Sequence, residues 1–289
     1  MDEREALRKL AETIPGAGDD AAVVDGLAIT TDMLHRSTDF PEGTTRYTAG
    51  WRSVGASLSD IAAMGADPVA AVAAYAAPEL DWDEIEAFVR GARAVCEQVG
   101  GEYAGGDLDD HDELTVTTTV AGRADDPVFR SGATPGEAVC VTGTLGRSGG
   151  ALELFRRGDT DRANDLFQFQ PRVAAGPTTA ESAGAMMDSS DGLARSLHQL
   201  AEASDCGFAI ESPLPSADVV RDVADSPERR RELTAFFGED FELVCTVPES
   251  AVDTLRSELS VPFTRIGSVV ESGLTLDGDP LPDRGYTHG

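Results

Sequence analysis

Residues 102–112 have the sequence EYAGGDLDDHD and lie just before residues 114–122 (LTVTTTVAG), whose composition predicts a β-strand. We expect a short strand over 101–104 and then a turn, because Gly105 and Gly106 leave the backbone free to turn tightly and to approach a ligand closely. Asp107 follows the two glycines directly. We interpret this acidic segment as the point around which the rest of the chain is organised.

Four other stretches combine aspartate with glycine or with hydroxyl-bearing residues. Aspartates are hard oxygen ligands suited to Mg²⁺, which takes one or two carboxylates per ion and completes its coordination with waters and phosphates. Our hypothesis is that these carboxylates converge on divalent cations, which hold the phosphates of a nucleotide. Each stretch alone is also typical of an ordinary turn or of a helix N-cap. The stretches are 18–20 (GDD), 30–32 (TTD), 59–60 (SD) and 188–191 (DSSD).

The composition limits the classes of partner. The chain has 289 residues, a hydrophobic fraction of 41% and a formal net charge of −29. Its length and hydrophobic content indicate a globular protein of one large domain or two ordinary domains. The negative charge should repel nucleic acid and anionic membranes, so we expect neither as a partner. The acidity is also typical of a protein that stays soluble in concentrated salt, and it suggests a halophilic source.

The sequence lacks the residues that several familiar classes of catalytic and metal site require. Lys9 is the sole lysine and has no phosphate-binding motif around it, which argues against P-loop, protein-kinase and Schiff-base chemistry. The four cysteines form no CxxC pair and are expected to be buried thiols, and the four histidines show no metal-ligand spacing. The N-terminus lacks a signal peptide's apolar segment, and the apolar run over 61–77 is interrupted. We therefore expect a cytoplasmic protein without a membrane span.

Strands and helices alternate in both halves, which predicts an α+β (mixed α/β) fold. Turn chemistry over 125–136 suggests a domain boundary, so we predict an N-terminal domain over 1–130 and a C-terminal domain over 131–289. Residues 21–24 and 27–31 should form a hairpin across Asp25-Gly26. The spacing of apolar residues predicts helices over 3–13, 48–64, 83–99, 149–156, 172–183 and 191–203 and two within 216–237.

Six motifs along the chain resemble the thiamine-monophosphate kinase family over nearly the whole length, within the wider aminoimidazole-ribonucleotide (AIR) synthetase superfamily. The resemblance implies a two-domain AIR-synthetase-like fold, with an N-terminal mixed β-sheet domain that binds ATP and Mg²⁺ and dimerises, and a C-terminal α/β domain that completes the active site. It also implies a homodimer that phosphorylates thiamine monophosphate with ATP. The motifs are 18–22 (GDDAA), 30–34 (TTDML), 58–68 (LSDIAAMGADP), 105–107 (GGD), 188–193 (DSSDGL) and 238–243 (GEDFEL).

The resemblance also implies roles for individual residues. ATP would be contacted by Gly106, Asp107, Arg130 and Ser190. The thiamine end would be contacted by Glu239 and Tyr286. Asp39 is a further candidate there, at a position where the family often has histidine, and its carboxylate would face a cationic thiazolium. Several Mg²⁺ ions would be bound by Asp20, Thr30, Thr31, Asp32, Asp60, Asp107, Asp188 and Asp191.

Phosphate attacking phosphate brings two polyanions together, and one unit-charge repulsion at about 4 Å is worth ~4 kcal/mol at an effective dielectric of about 20. Several Mg²⁺ ions would reverse this repulsion, and the acceptor phosphate is already ionised. We therefore expect direct in-line transfer without a protein nucleophile or strong base. Two alternatives stay open: another ATP-using enzyme of the superfamily with a different small acceptor, and a non-enzymatic, acidic metal-binding protein.

Overall fold

The computed structural model describes residues 6, 9, 10, 13, 14 and 17–286. Most of the helix expected over 3–13 therefore lies outside the described residues. The chain forms a five-stranded and a seven-stranded β-sheet, with helices packed between and around them, which confirms the mixed α+β prediction. No helix in the described ranges has the length and apolar character needed to cross a membrane.

The five-stranded sheet has the strand order β1-β2-β5-β3-β4. Strands β1 and β2 are antiparallel and are joined by Asp25 and Gly26, which both have positive φ, so the predicted hairpin is confirmed. Strand β3 pairs antiparallel with β5 and parallel with the edge strand β4. The strands are β1 (Ala22–Val24), β2 (Leu27–His35), β3 (Asp67–Ala77), β4 (Glu102–Asp110) and β5 (Thr115–Arg123).

The prediction of a turn at Gly105 and Gly106 is wrong, because both glycines lie within β4. The β3–β4 register shifts between Ala71 and Val72, and Gly105, on the β4 side of this irregularity, has a φ of 141°. Gly106 lies so close to β3 that a Cβ there would come within 1.8 Å of the Ala73 carbonyl oxygen. Glycine is therefore required here by close strand pairing.

Two long helices, α1 (Arg46–Ala63) and α2 (Trp82–Val99), pack together on this sheet and match the helices predicted over 48–64 and 83–99. Thr45 caps α1 by accepting a hydrogen bond from the Thr48 backbone, and Asp81 caps α2 in the same way. Helix α1 is buried on nearly all sides. On its outer face the Trp51 indole donates to the Phe169 carbonyl at 2.6 Å, so the second half of the chain covers that face.

The seven-stranded sheet has the order β12-β11-β8-β10-β6-β9-β7. Its central pairs are antiparallel, and β11 lies parallel to β8. The strands are β6 (Ala138–Thr142), β7 (Ala185–Asp188), β8 (Gly207–Ile210), β9 (Leu243–Val247), β10 (Phe263–Val270), β11 (Leu274–Leu276) and β12 (Asp279–Pro280).

The helices of the second half depart from the predictions in two places. The helix expected over 172–183 is only one short turn, and a helix that was not predicted follows α3. A π-helix (Glu232–Phe236) continues directly from α8. The α-helices are α3 (Arg147–Arg157), α4 (Thr160–Phe167), α5 (Gly176–Ala180), α6 (Leu193–Ser204), α7 (Asp218–Val223), α8 (Pro227–Arg231) and α9 (Val252–Glu258), with a 3₁₀ turn at Glu249–Ala251.

One hydrophobic core joins the two sheets through α1. Ile61 of α1 and Met64 belong to the same buried cluster as Met186 of β7 and Leu243 of β9. The C-terminal end of α1 is thus fixed against both halves of the chain, and the proposed boundary at 130/131 does not separate two isolated cores. Three cysteines are buried and free, as expected, whereas Cys206 is half-buried.

Candidate active site

Three carboxylates from distant parts of the chain meet where α1 joins the two sheets. They belong to Asp20 in the loop before β1, Asp60 in the last turn of α1 and Asp188 at the end of β7. One oxygen from each lies within 4.8 Å of the others. We refer to Asp20, Asp60 and Asp188 as the carboxylate cluster.

Hydroxyl groups orient the cluster and its neighbour Asp32. Thr30 donates to Asp60 at 2.5 Å, and Ser59 donates to Asp188 at 2.6 Å. Because alternate residues of a strand point to the same face, Thr30 and Asp32 of β2 both face α1, where Ser57 donates to Asp32. The sequence order Thr-Thr-Asp therefore places one hydroxyl and one carboxylate on the cluster side of the sheet.

The carboxylate cluster carries a strong negative charge. Arg130 donates to both oxygens of Asp20, at 3.1 and 3.2 Å, so a guanidinium stands against three carboxylates. Burial, followed by the nearby charges of Asp32 and Asp188, raises the pKa of Asp60 well above its ordinary value. Burial and the charge of Asp20 raise the pKa of Asp188 to about 7. These raised pKa values show that the metal-free cluster resists full ionisation.

The chemistry of this donor set fits Mg²⁺. Hard divalent cations prefer carboxylate oxygens, and protein sites for Mg²⁺ leave positions for water and phosphate. A cation would also remove the mutual repulsion that raises the two pKa values. Asp20, Asp60 and Asp188 are therefore the residues best placed to hold a cation, and their role as ligands stays a prediction.

We expect the metal-free protein to lose stability as the pH rises toward 7. The folded-state pKa of Asp188, about 7, lies above the ordinary aspartate value near 4, so between these values the folded state binds more protons than the unfolded state. The free energy of unfolding then falls with rising pH. Added Mg²⁺ should stabilise the protein little at pH 5 and increasingly through pH 7, because metal ligands must be deprotonated.

The measurement is the urea midpoint at constant ionic strength from pH 5 to pH 8, in EDTA and in Mg²⁺. Asp188→Asn should reduce the difference between the two series at high pH. Parallel curves in EDTA and in Mg²⁺ would show that the cluster binds no cation.

A second group of residues lines a pocket beside the cluster. Asp39, Glu239 and Tyr286, the three residues assigned to the thiamine end, share this pocket with Asp32, and Ser190 and Asp191 also line it. Burial, followed by the charges of Asp39 and Glu239, raises the pKa of the Tyr286 phenol to about 12. We refer to this space as the acidic pocket.

Asp39 is held within its own loop. Its side chain is buried and accepts hydrogen bonds from the His35 backbone at 2.7 Å and from the Thr38 hydroxyl at 2.6 Å, and Tyr286 is also hydrogen-bonded to it. These bonds give Asp39 a structural task at the edge of the acidic pocket. Its contact with substrate stays a prediction.

Sequence reasoning missed Arg52, which is 1% exposed and holds Glu239 in place. Its guanidinium donates to the Glu239 carboxylate at 3.2 Å and lies 4.0 Å from the centre of the Phe167 ring. Phe169 and Phe241 stack beside it, with ring centroids 4.3 Å apart and planes 9° apart. An arginine inside an otherwise small and apolar helical run was the available signal.

The segment 238–243 divides its acidic residues among three tasks. Asp240 accepts hydrogen bonds from the Gly146 and Ser148 backbones and so fixes the start of α3. Glu242 is buried and forms a two-pronged pair with Arg172, both contacts at 2.5 Å. This leaves Glu239 as the acid of the segment that faces the acidic pocket.

Thr31, Gly106 and Asp107 are not brought to the carboxylate cluster within one chain. Thr31 points to the opposite face of the sheet, where Thr119 donates to it at 3.2 Å. Asp107 lies on the edge strand β4, separated from β2 by β5 and β3, which is ~14 Å at three strand spacings. Asp107 pairs with Ala74, and the pairing register places it on the same exposed face as Thr31.

Comparison with known protein families also divides the chain into an N-terminal and a C-terminal part. A family model described as AIR synthase related protein, N-terminal domain, matches residues 18–124, and the corresponding C-terminal domain model matches residues 134–278. The two matches confirm the predicted two-domain fold class.

The chain is also similar to individual proteins over its full length. It is 59% identical to the thiamine-monophosphate kinase of Halobacterium salinarum, with 100% of both chains covered, and 43% identical to that of Methanospirillum hungatei, with 100% and 99% covered. The solved structure of AaThiL complexed with AMPPCP and TMP superposes with a TM-score of 0.91 at 27% identity, covering 100% of this chain and 97% of that one.

Proposed function

The chain belongs to the thiamine-monophosphate kinase family, and we propose that it transfers the γ-phosphoryl group of ATP directly to the phosphate of thiamine monophosphate, forming thiamine diphosphate. The observation that carries the proposal is the position of the carboxylate cluster beside a pocket containing Asp39, Glu239 and Tyr286. The expected cytoplasmic location is part of this proposal.

Asp20, Asp60 and Asp188 would hold Mg²⁺, with Asp32 and Asp191 as further candidate ligands. When bound, Mg²⁺ neutralises phosphate charge and aligns donor with acceptor in phosphoryl transfer. The chain's own contribution is to fix the carboxylates through the Thr30, Ser57 and Ser59 hydroxyls, so that little reorganisation is needed when phosphates arrive. Arg130 and Ser190 are proposed to contact ATP.

The acidic pocket suits the cationic end of the acceptor. Glu239 supplies a negative charge, and the Tyr286 ring supplies an aromatic face for a thiazolium. Arg52, whose side chain is buried, keeps the Glu239 carboxylate in one orientation through an ion pair of 3.2 Å. Positioning of the acceptor through its ring leaves its phosphate directed toward the carboxylate cluster, and no protein nucleophile is required.

We propose a homodimer in which the exposed faces of two five-stranded sheets meet. The large apolar side chains of Ile29, Met33 and Val72 are 39%, 56% and 41% exposed on this face of the sheet. Exposed apolar residues grouped on one surface are typical of protein–protein contact sites. A two-fold interface there would be isologous, so residues at opposite edges of one sheet would approach each other across two copies. Asp107 of one copy would then serve the site of the other.

A turnover assay with ATP, Mg²⁺ and thiamine monophosphate in high salt tests the function. Glu239→Gln should raise the KM for thiamine monophosphate about tenfold, equivalent to ~1.4 kcal/mol for the loss of one negative charge beside a cation, and should change the KM for ATP less than twofold. Glu86→Gln, which removes an exposed acid from α2, is the matched control. Absence of phosphorylation, or equal changes in both KM values, would contradict the assignment.

A further inference from the structure

A cavity of about 450 Å³ lies in the C-terminal half, and its lining shares no residue with the carboxylate cluster or the acidic pocket. Three arginines line it: Arg221, Arg230 and Arg231. In a chain with 23 basic and 52 acidic residues, three guanidiniums around one cavity reverse the local sign of charge. We call this space the arginine cavity.

Two of these guanidiniums are available to a ligand. Arg230 and Arg231 are exposed and form no ion pair with any residue that the structure describes. Arg221 pairs with Asp218, but both side chains are largely exposed, 71% and 90%, so that pair is weak and easily exchanged. The guanidiniums around the arginine cavity therefore carry positive charge that neighbouring carboxylates do not neutralise.

The carboxylate in the lining does not neutralise these arginines. Asp277 accepts hydrogen bonds from the backbone and the hydroxyl of Ser212, both at 2.8 Å, and these bonds lower its pKa. Its carboxylate is thereby held against the segment that follows β8, and the charge of Arg231 also lowers its pKa. Three guanidiniums stand against two carboxylates, Asp277 in the lining and Asp218 paired with Arg221, which leaves the arginine cavity with a net positive charge.

The rest of the lining indicates the class of ligand. Leu214 and Leu276 supply an apolar wall, and Ser216 supplies a hydroxyl. The volume lies within the range of about 300–1,000 Å³ typical of small-molecule pockets. Guanidiniums match phosphate oxygens in geometry as well as charge. We propose that the arginine cavity is a second binding site, independent of divalent cations, for a small phosphate monoester that carries a flat ring.

The test is calorimetric titration of the full chain with AMP in EDTA and in potassium acetate, which avoids competition by chloride. Without divalent cations the carboxylate cluster repels phosphate, so binding reports the arginine cavity. We expect AMP to bind, and inorganic phosphate and adenosine each to bind at least about tenfold more weakly. Equal affinity for phosphate and AMP would overturn the role of Leu214 and Leu276.

The variant Arg230→Gln/Arg231→Gln should weaken AMP binding at least about tenfold, and Arg230→Gln alone should weaken it less. The charge-matched control is Arg90→Gln/Arg93→Gln, on exposed positions of α2, and it should bind as the parent does. Thermal unfolding of each variant verifies folding. Undetectable AMP binding by the parent, or undiminished binding by the folded double variant, would overturn the proposal.

Discussion

Asp60→Asn should lower kcat by ~10³-fold or more and should at the same time raise the melting temperature of the metal-free protein. Asp60 lies between Asp20, Asp32 and Asp188, and its raised pKa reflects both burial and their repulsion. Asparagine keeps the shape and still accepts the Thr30 hydrogen bond, but it removes a charge that the unliganded fold resists. Loss of activity with gain of stability distinguishes a functional carboxylate from a structural one.

The experiment compares steady-state turnover with thermal unfolding in EDTA and in Mg²⁺. Asp165→Asn, an exposed position on α4, is the matched control and should change neither quantity appreciably. The stabilisation by Mg²⁺ seen in the parent should be reduced in Asp60→Asn. A variant that keeps more than a tenth of the parent kcat, or that melts at a lower temperature in EDTA, would refute the assignment.

The second prediction concerns the division of the site between two copies. Asp60→Asn and Asp107→Asn should each be nearly inactive as homodimers, with Asp107→Asn losing Mg²⁺-dependent ATP binding. A mixed dimer of the two, isolated with two different affinity tags, should recover about half of the parent activity. In that dimer one site receives both substitutions and the other receives neither, if Asp107 acts across the two-fold axis.

The control is a mixed dimer of Asp20→Asn with Asp60→Asn. Both substitutions fall on the carboxylate cluster of the chain that carries them, so each site contains one defect and activity should stay low. If the mixed Asp60/Asp107 dimer is as inactive as its parents, Asp107 serves its own chain. If both mixed dimers recover, inactivity of the homodimers has another origin.

The sequence predicted most clearly what depends on local chemistry. The Asp25-Gly26 hairpin follows from residues that adopt positive φ, and α1 and α2 follow from apolar spacing. The convergence of Asp20, Asp60 and Asp188 was expected from the combination of motifs and from the family resemblance, although each segment alone is also typical of a turn or a helix N-cap.

What the sequence did not predict depends on contacts between distant segments. Gly105 and Gly106 have the composition of a turn, but close pairing with β3 makes them strand residues. The roles of Arg52 and Glu242 depend on partners 187 and 70 positions away, Glu239 and Arg172. The position of Asp107 across the sheet likewise follows from strand order and not from any property of its neighbours.

Helix α1 has a consequence for how this protein tolerates genetic change. Fourteen of its eighteen residues are buried, and the segment of the helix from Arg52 to Asp60 carries Arg52, Ser57 and Asp60. Random substitution along this helix would seldom be neutral, because a change that spares the chemistry still disturbs close packing. Drift in this lineage should therefore accumulate at the periphery, where acidic side chains face solvent, and leave α1 almost unaltered.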